Sequence, residues 1–556
     1  MQEYEEATAF LGMWGRFQQI MFFLLCICII PNGIITFSSV FLADTPHHSC
    51  LIPDVNLTQD WLNSTIPKEV VNGKQVKSSC RRYRLDVIRN LSAQGLVPGR
   101  DVNITELEQE DCLDGWSYSQ DIYQSTLVSE FDLVCSEQWK QPFTSTVFLL
   151  GVLVGSLFSG QIADRFGRKP VMFATLAFQS ISAVIAVFSP FWSMFAFFYF
   201  ITGFGRVSSY VSAFVLGTEV LSGRVRVLFS SLGVCLSFTV GYMLLPLFAY
   251  FIRDWKYLLV AISLPGLMEL PLWWFIPESP RWLLSQGKFA EAEAIIRKAA
   301  KINKVETPQF LNLENHSALV KEKSTSNKKN INILHMLKTS NIRNITLIIC
   351  LVWFTLRSGY YGLSLNSSQL HADPFISCFM SAAIEVPALI GIWLALRFLP
   401  RQPTVIFILL LVAVSLFLIQ LVPNSLSWMA VALEMVGKFA VTAGSNYMYV
   451  YVAEIYPTVL RNSATGSCSI LSRAGSTTAP FLFKLKIYFE YLPYIILGVL
   501  SVASSVAALF LPETFNVPLP QTIEEMSKSR RNLCLFKNNR RKYCSSAEVV
   551  EENQNL

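Results

Sequence analysis

Gly217-Thr218-Glu219-Val220-Leu221-Ser222-Gly223-Arg224-Val225-Arg226 follows one long apolar run, and 235 residues on, Val452-Ala453-Glu454-Ile455-Tyr456-Pro457-Thr458-Val459-Leu460-Arg461 follows another. Glu219 and Arg226 thus recur as Glu454 and Arg461, and Pro277-Glu278 recurs at the same offset as Pro512-Glu513. Three coincidences at one offset indicate two structurally related halves. Solenoid repeats have periods of about 20–50 residues, so this is a duplication on the scale of a domain. Both copies flank membrane-length apolar segments, which points to two lobes with a site between them.

Composition agrees. Hydrophobic residues make up 52% of the chain and charged ones 15%, against roughly 25% charged in soluble domains. The charges gather in a few loops, as in a polytopic membrane protein, so the net charge of +6 gives no reason to expect a nucleic-acid partner. Apolar runs of about 20 residues, enough to cross a bilayer, begin near Ile20, Phe143, Pro170, Trp192, Leu228 and Tyr257, then near Ile345, Phe375, Thr404, Ser427, Thr465 and Leu492. Six and six are expected as helices, because these runs lack the alternation of a membrane barrel.

Arg165, Arg168 and Lys169 after the second run, Arg224 and Arg226 after the fourth, and Arg397 and Arg401 after the eighth share one side with the basic segment Glu278 to Arg343. That places this face and both termini in the cytoplasm. The expected divisions are a tail (1–19), a first lobe (20–277), a linker (278–343), a second lobe (344–512) and a charged tail (513–556). The acidic N-terminus lacks the basic flank of a cleavable signal, so the first span is expected to direct its own insertion.

On the opposite face, residues 43–142 carry Cys50, Cys80, Cys112 and Cys135 and glycosylation sequons at Asn56, Asn63, Asn90 and Asn103. An even cysteine count with clustered sequons argues for an oxidising, cell-surface environment, although three disulfide pairings remain open. Sequons at Asn315, Asn344 and Asn366 are poorly placed for modification. Cys26, Cys28, Cys235, Cys350 and Cys468 fall within spans and are expected as small apolar packing residues.

After the second run comes Gly160-Gln161-Ile162-Ala163-Asp164-Arg165-Phe166-Gly167-Arg168-Lys169. Gly160 is expected to allow close helix approach, Asp164 to pair with an arginine or cap a helix, and Gly167 to turn the chain sharply. This string resembles the loop signature of the major facilitator superfamily. The resemblance implies an all-α membrane protein of twelve transmembrane helices in two pseudo-symmetric six-helix lobes, with Asp164, Arg165 and Arg168 latching one conformation. Pro277-Glu278-Ser279-Pro280-Arg281-Trp282-Leu283-Leu284 and Ala453-Glu454-Ile455-Tyr456-Pro457-Thr458 resemble the organic ion transporters of that superfamily. Thr8-Ala9-Phe10-Leu11-Gly12, Ile30-Pro31-Asn32-Gly33, Cys80-Arg81-Arg82-Tyr83-Arg84-Leu85 and Pro246 to Trp255 resemble the organic cation/carnitine subgroup. That similarity implies a carnitine-like zwitterion or an organic cation as substrate, with sodium as a coupling ion and no other cofactor.

An ionisable group within a span costs roughly 3 kcal/mol unless paired or wet. Arg206, Glu269, Arg357, Glu385, Glu434, Lys438 and Arg473 are such groups, and Glu269 and Glu434 are expected to be structural. Arg473 offers a fork for a carboxylate and Glu385 a counter-ion for a cation, which together suit a zwitterion. Tyr210, Tyr242, Trp353, Tyr360, Tyr361 and Tyr447 are the aromatic faces available to a quaternary ammonium. In the similar family, Arg at the position matching Arg473 implies anionic or zwitterionic substrates. Arg357 and Arg206 depart from the subgroup pattern, and Tyr360-Tyr361-Gly362 looks more like the organic anion carriers, so an organic anion exchanger is an alternative, beside an uncoupled polyspecific organic cation carrier and, from another class, a non-transporting receptor-like paralogue.

Gly217 to Arg224 lacks the Gly-Lys-Ser/Thr ending that cradles a phosphate, and no nucleophile triad or metal-ligand cluster is present, so the chain is not expected to be an enzyme. Glu219 with Arg226 and Glu454 with Arg461 are expected as inter-helix ion pairs at the inner gate. An amphipathic helix is expected from Phe289 to Ile302, with a polar stretch near 321–330. The terminal Asn553-Gln554-Asn555-Leu556 lacks the Ser/Thr that PDZ domains read in relatives, so that partner is not expected and membrane lipid is.

Overall fold

Backbone polar groups in a run of apolar residues can satisfy only one another once water is gone, so such runs become helices. The computed structural model shows this, and describes residues 9–53, 57–71, 74–306, 340–367, 373–423, 426–456 and 458–515. The polar stretch near 321–330 and the tail from 516 lie outside the described residues.

The first lobe has spans at Arg16–Leu42, Lys140–Phe166, Arg168–Val187, Trp192–Val220, Gly223–Phe251 and Trp255–Met268. The second has Ser340–Leu365, Pro374–Phe398, Arg401–Ile419, Ser427–Ile455, Thr458–Lys484 and Leu492–Ala508. Among the described residues, eight helices are long and apolar enough to cross a membrane by length and composition. Three further helices of spanning length, the fourth, tenth and eleventh, hold Arg206, then Glu434 and Lys438, then Arg473. Charge within a span lowers its hydropathy, which leaves these three outside the eight, whereas spans seven and eight carry Arg357 and Glu385 and remain among them. The eighth span breaks at Ile384, and Glu385 opens its second half.

Within the first lobe the helices touch backbone to backbone. A Cβ on Gly33 would lie 2.1 Å from the Phe238 carbonyl oxygen, and one on Gly241 would lie 2.1 Å from that of Ile30. Spans two and four repeat the arrangement through Gly151 and Gly203, at 2.1 and 2.2 Å from the carbonyl oxygens of Phe200 and Phe148. Gly160 has nothing within 4 Å of a built Cβ, which corrects the expectation of close approach there. The helix has reached its exposed end by that point, and Gly151 and Gly155 make the contacts instead.

The loop domain between spans one and two carries three two-stranded antiparallel sheets. Disulfides join Cys50 to Cys112 and Cys80 to Cys135, choosing one of the three open pairings. Trp61 and Ile88 are fully buried in its small core, and Arg82, 2% exposed, bonds to Glu110 and Asp114. Asn63, Asn90 and Asn103 are exposed, while Asn56 lies outside the described residues. Asn366 is buried, and its side chain bonds to Glu434, Tyr494 and Lys486.

The lobes meet at the loop-domain face. Phe375 of span eight stacks on Phe41 of span one at 5.5 Å and meets Tyr250 edge-on at 5.7 Å. Thr146 of span two donates to the carbonyl of Thr477 in span eleven at 3.2 Å. On the basic face, the helix Phe289–Asn303 is tied to the first lobe. Asn303 Oδ1 accepts the Phe17 N–H at 2.8 Å, and its Nδ2 donates to the Leu11 carbonyl at 3.0 Å and to Gln18 Oε1 at 2.9 Å.

Candidate substrate site and latches

Each lobe closes its basic face with the same device. The Arg168 guanidinium grips Glu219 across the bundle, with Nε 3.2 Å from Oε2 and Nη2 3.1 Å from Oε1. Its Nη1 donates to the Ala163 carbonyl at 2.9 Å, and Nη2 also meets Asp164 at 2.7 Å. In the second lobe Arg401 grips Glu454 at 3.0 and 3.1 Å and donates to the Leu396 carbonyl at 2.7 Å. Glu278 accepts the first N–H groups of span three, those of Arg168 and Lys169, both at 3.2 Å. Glu513 does the same for span nine, accepting from Arg401 at 2.8 Å and Gln402 at 3.0 Å. A carboxylate there satisfies donors that a helix start leaves orphaned and faces the positive end of its dipole. Burial nonetheless pushes the Glu278 carboxyl above its ordinary value.

This corrects the expected pairing. Glu219 binds Arg168, and Arg226 turns its Nε to the Leu221 carbonyl at 3.0 Å. The Arg461 side chain lies outside the described residues. Arg165 is exposed beside Phe166 and takes no part in the grip, because it ends span two whereas Arg168 opens span three beyond the turn at Gly167. Asp164 bonds Arg168 rather than capping the next helix, whose N-terminus Glu278 already occupies.

The central charges project from helical stripes. Span seven aligns Trp353, Arg357 and Tyr360, and span ten aligns Lys438, Thr442 and Tyr449, in steps of three, four or seven that keep one helix face. The Arg357 guanidinium carbon lies 5.4, 5.7 and 5.6 Å from the ring centres of Trp353, Tyr360 and Tyr449, and its Nη2 donates to the Tyr449 hydroxyl at 3.0 Å. Arg206 sits over Tyr210 at 5.6 Å and Phe238 at 5.3 Å. Arg473 lies within electrostatic reach of both Arg206 and Arg357. In all three the Nε N–H is buried and has no hydrogen-bond partner among the described residues. Each such donor is a standing cost until an acceptor arrives. Tyr449 stays 39% exposed while its neighbour Trp353 is buried.

Glu385 is not free to act as counter-ion for a cation. Its Oε1 lies 3.1 Å from Lys438 Nζ and accepts the Tyr360 hydroxyl at 2.8 Å, and its Oε2 accepts the Thr239 hydroxyl of span five at 3.1 Å. The tethered ammonium lies nearer than any solute, and the low dielectric of the interior strengthens the pair. Tyr242 and Tyr361 stand in the same cluster, Tyr361 at 5.6 Å and Tyr242 at 4.3 Å from Phe37. Tyr447 does not join them. It is fully buried, and its hydroxyl reaches the Pro400 carbonyl at 3.5 Å, beside the Arg401 latch, because it lies on the stripe of span ten opposite Tyr449. Glu434 accepts from Asn366 at 3.0 Å and Tyr494 at 2.9 Å in a structural network.

Residue reading alone passed over Phe37, Phe238 and Tyr449, and read only an orienting loop charge in Arg401. The last had a signal, since Arg168-Lys169-Pro170 returns as Arg401-Gln402-Pro403 at an offset of 233, two short of the main repeat.

Two six-helix lobes with mirrored latches and a charged chamber between them define a secondary transporter of the major facilitator fold. The inward-open xylose transporter XylE from E. coli superposes with a TM-score of 0.61 over 90% of this chain and 98% of its own, at 16% identity. Residues 114–526 match the family described as "Sugar (and other) transporter". The organic cation/carnitine transporter 2 of Homo sapiens is 51% identical over 527 residues, 95% of this chain and 94% of that protein. Solute carrier family 22 member 4 of Mus musculus is 50% identical, covering 96% of each chain. The chain belongs to the sugar (and other) transporter family and, within it, to the organic cation/carnitine transporters; it is a multi-pass membrane protein and not an enzyme.

Proposed function

We propose that this chain carries small carboxylate-bearing solutes, carnitine-like zwitterions foremost, across the plasma membrane by alternating access, with both termini in the cytoplasm. The observation that carries the reading is the set of three guanidinium groups, Arg206, Arg357 and Arg473, each with an unsatisfied Nε donor in one chamber. A carboxylate supplies the acceptors they lack and offsets their mutual repulsion. The name of the similar human protein, organic cation/carnitine transporter 2, puts carnitine first among zwitterions. Organic anion exchange is the second reading, favoured by the same arginines. Transport of bare organic cations is opposed by the engagement of Glu385 with Lys438. The test is uptake of labelled carnitine, tetraethylammonium and an organic anion in transfected cells. Replacing sodium chloride by isosmotic mannitol in the same cells reads the coupling ion, and loss of carnitine uptake supports sodium. Absence of flux for all three at normal surface level would defeat the carrier reading.

A further inference from the structure

A quaternary ammonium cannot donate a hydrogen bond, so a site for one is built of aromatic faces with a carboxylate at hand. The structure contains that arrangement, already filled. Lys438 Nζ lies 3.6 Å from the centre of the Tyr360 ring and 5.7 Å from those of Phe37 and Tyr242, with Glu385 at 3.1 Å. It also bonds to the Ser364 hydroxyl, and its side chain is 1% exposed. Phe37 and Tyr242 belong to the first lobe, Tyr360 and Glu385 to the second, so the caged ammonium is held from both sides. We propose that Lys438 is a built-in occupant of the cation subsite, so that the chamber selects substrates by their negative end and does not require them to bring an ammonium.

The charge balance supports this. Arg206, Arg357, Arg473 and Lys438 face one carboxylate, Glu385, in the chamber. A zwitterion leaves the surplus positive charge unchanged, and a plain carboxylate reduces it. The inference rests on the carboxylate-carrier reading and narrows it to carboxylates with or without a cationic end.

The test is competition for labelled carnitine uptake by unlabelled carnitine and by its isostere in which a tert-butyl group replaces the trimethylammonium. In the wild-type carrier the two compounds are expected to inhibit within about threefold of each other, whereas an empty aromatic cage would favour the ammonium by about tenfold or more. Lys438→Met empties the cage and leaves Glu385 unpaired, so it should raise the preference for the ammonium compound by about tenfold. Lys438→Arg should keep the wild-type ratio. A wild-type preference for carnitine of tenfold or more overturns the inference, with no variant needed. An unchanged ratio in a Lys438→Met carrier that reaches the surface and transports overturns it too. If Arg473→Ala leaves labelled carnitine uptake and its inhibition by both compounds unaltered, the carboxylate-carrier reading itself fails; if carnitine uptake needs Arg473 but the isostere competes tenfold or more weakly than carnitine, only the present inference fails.

Discussion

The basic faces of the two lobes are near copies, whereas the chamber between them has no internal symmetry. Arg168 with Glu219 and Glu278 is matched bond for bond by Arg401 with Glu454 and Glu513. In the chamber Glu385, Lys438 and Arg473 have no charged counterparts 235 residues earlier, Arg206 answers to Val441, and span one, the counterpart of the span that holds Arg357, carries no charge beyond Arg16 at its end. Duplication preserved the parts that both lobes need to hold their shape at the membrane edge. Selectivity needed unlike groups facing one another, so the first lobe supplies Arg206 and the rings of Phe37, Tyr210, Phe238 and Tyr242, and the second supplies most of the charge.

Four measurements press on that contrast. Arg473→Ala should lower carnitine uptake by about a hundredfold at equal surface level, because losing one member of a desolvated charge contact costs several kcal/mol; an effect below about threefold would remove Arg473 from the chamber. Glu219→Gln and Glu454→Gln should each slow turnover by about tenfold, the loss of charge-assisted hydrogen bonds to a guanidinium. Their equality is the point, and a silent change in one lobe would break the symmetry of the latches. Gly33→Ala should cut mature protein several-fold, since forcing a methyl against a carbonyl costs about 1–3 kcal/mol, whereas Gly160→Ala should be silent in the same immunoblot. Arg357→Ser should shift the ratio of organic anion to carnitine uptake toward carnitine by about fivefold, as expected for one partly solvated charge. An unchanged profile would show that Arg357 does not line the path.

The fold was legible because its signals are collective: apolar runs, basic loops and a fixed offset each extend over many residues. The site was legible in its members and not in their pairings. An arginine inside a span stands out by cost alone, which is why Arg206, Arg357 and Arg473 were visible. Which carboxylate an arginine grips depends on how helices rotate and abut. Arg168 finds Glu219 across 51 residues, and a two-residue difference between the loops hid its equivalence to Arg401. Glu385 read as free because Lys438 lies on another helix, and nothing in the sequence shows that the two meet. Phe37, Phe238 and Tyr449 carry no signal that separates a lining ring from a packing one. Tyr447 shows the converse, a well-placed tyrosine turned to the wrong side by two residues.

The backbone contact between spans one and five sets a condition on how the protein is made. Asn32 is fully buried beside that contact, and its Oδ1 accepts a hydrogen bond from Ser209, 177 residues downstream. At roughly 5–20 residues per second, synthesis delivers that partner on the order of ten to thirty seconds after Asn32 has left the ribosome. Until then the asparagine and the bare glycine ridge of Gly33 must wait in the bilayer, or be held by the insertion machinery. The docking of the first helix synthesised onto the fourth and fifth is therefore a late step of biogenesis, and it leaves a polar side chain waiting for its partner.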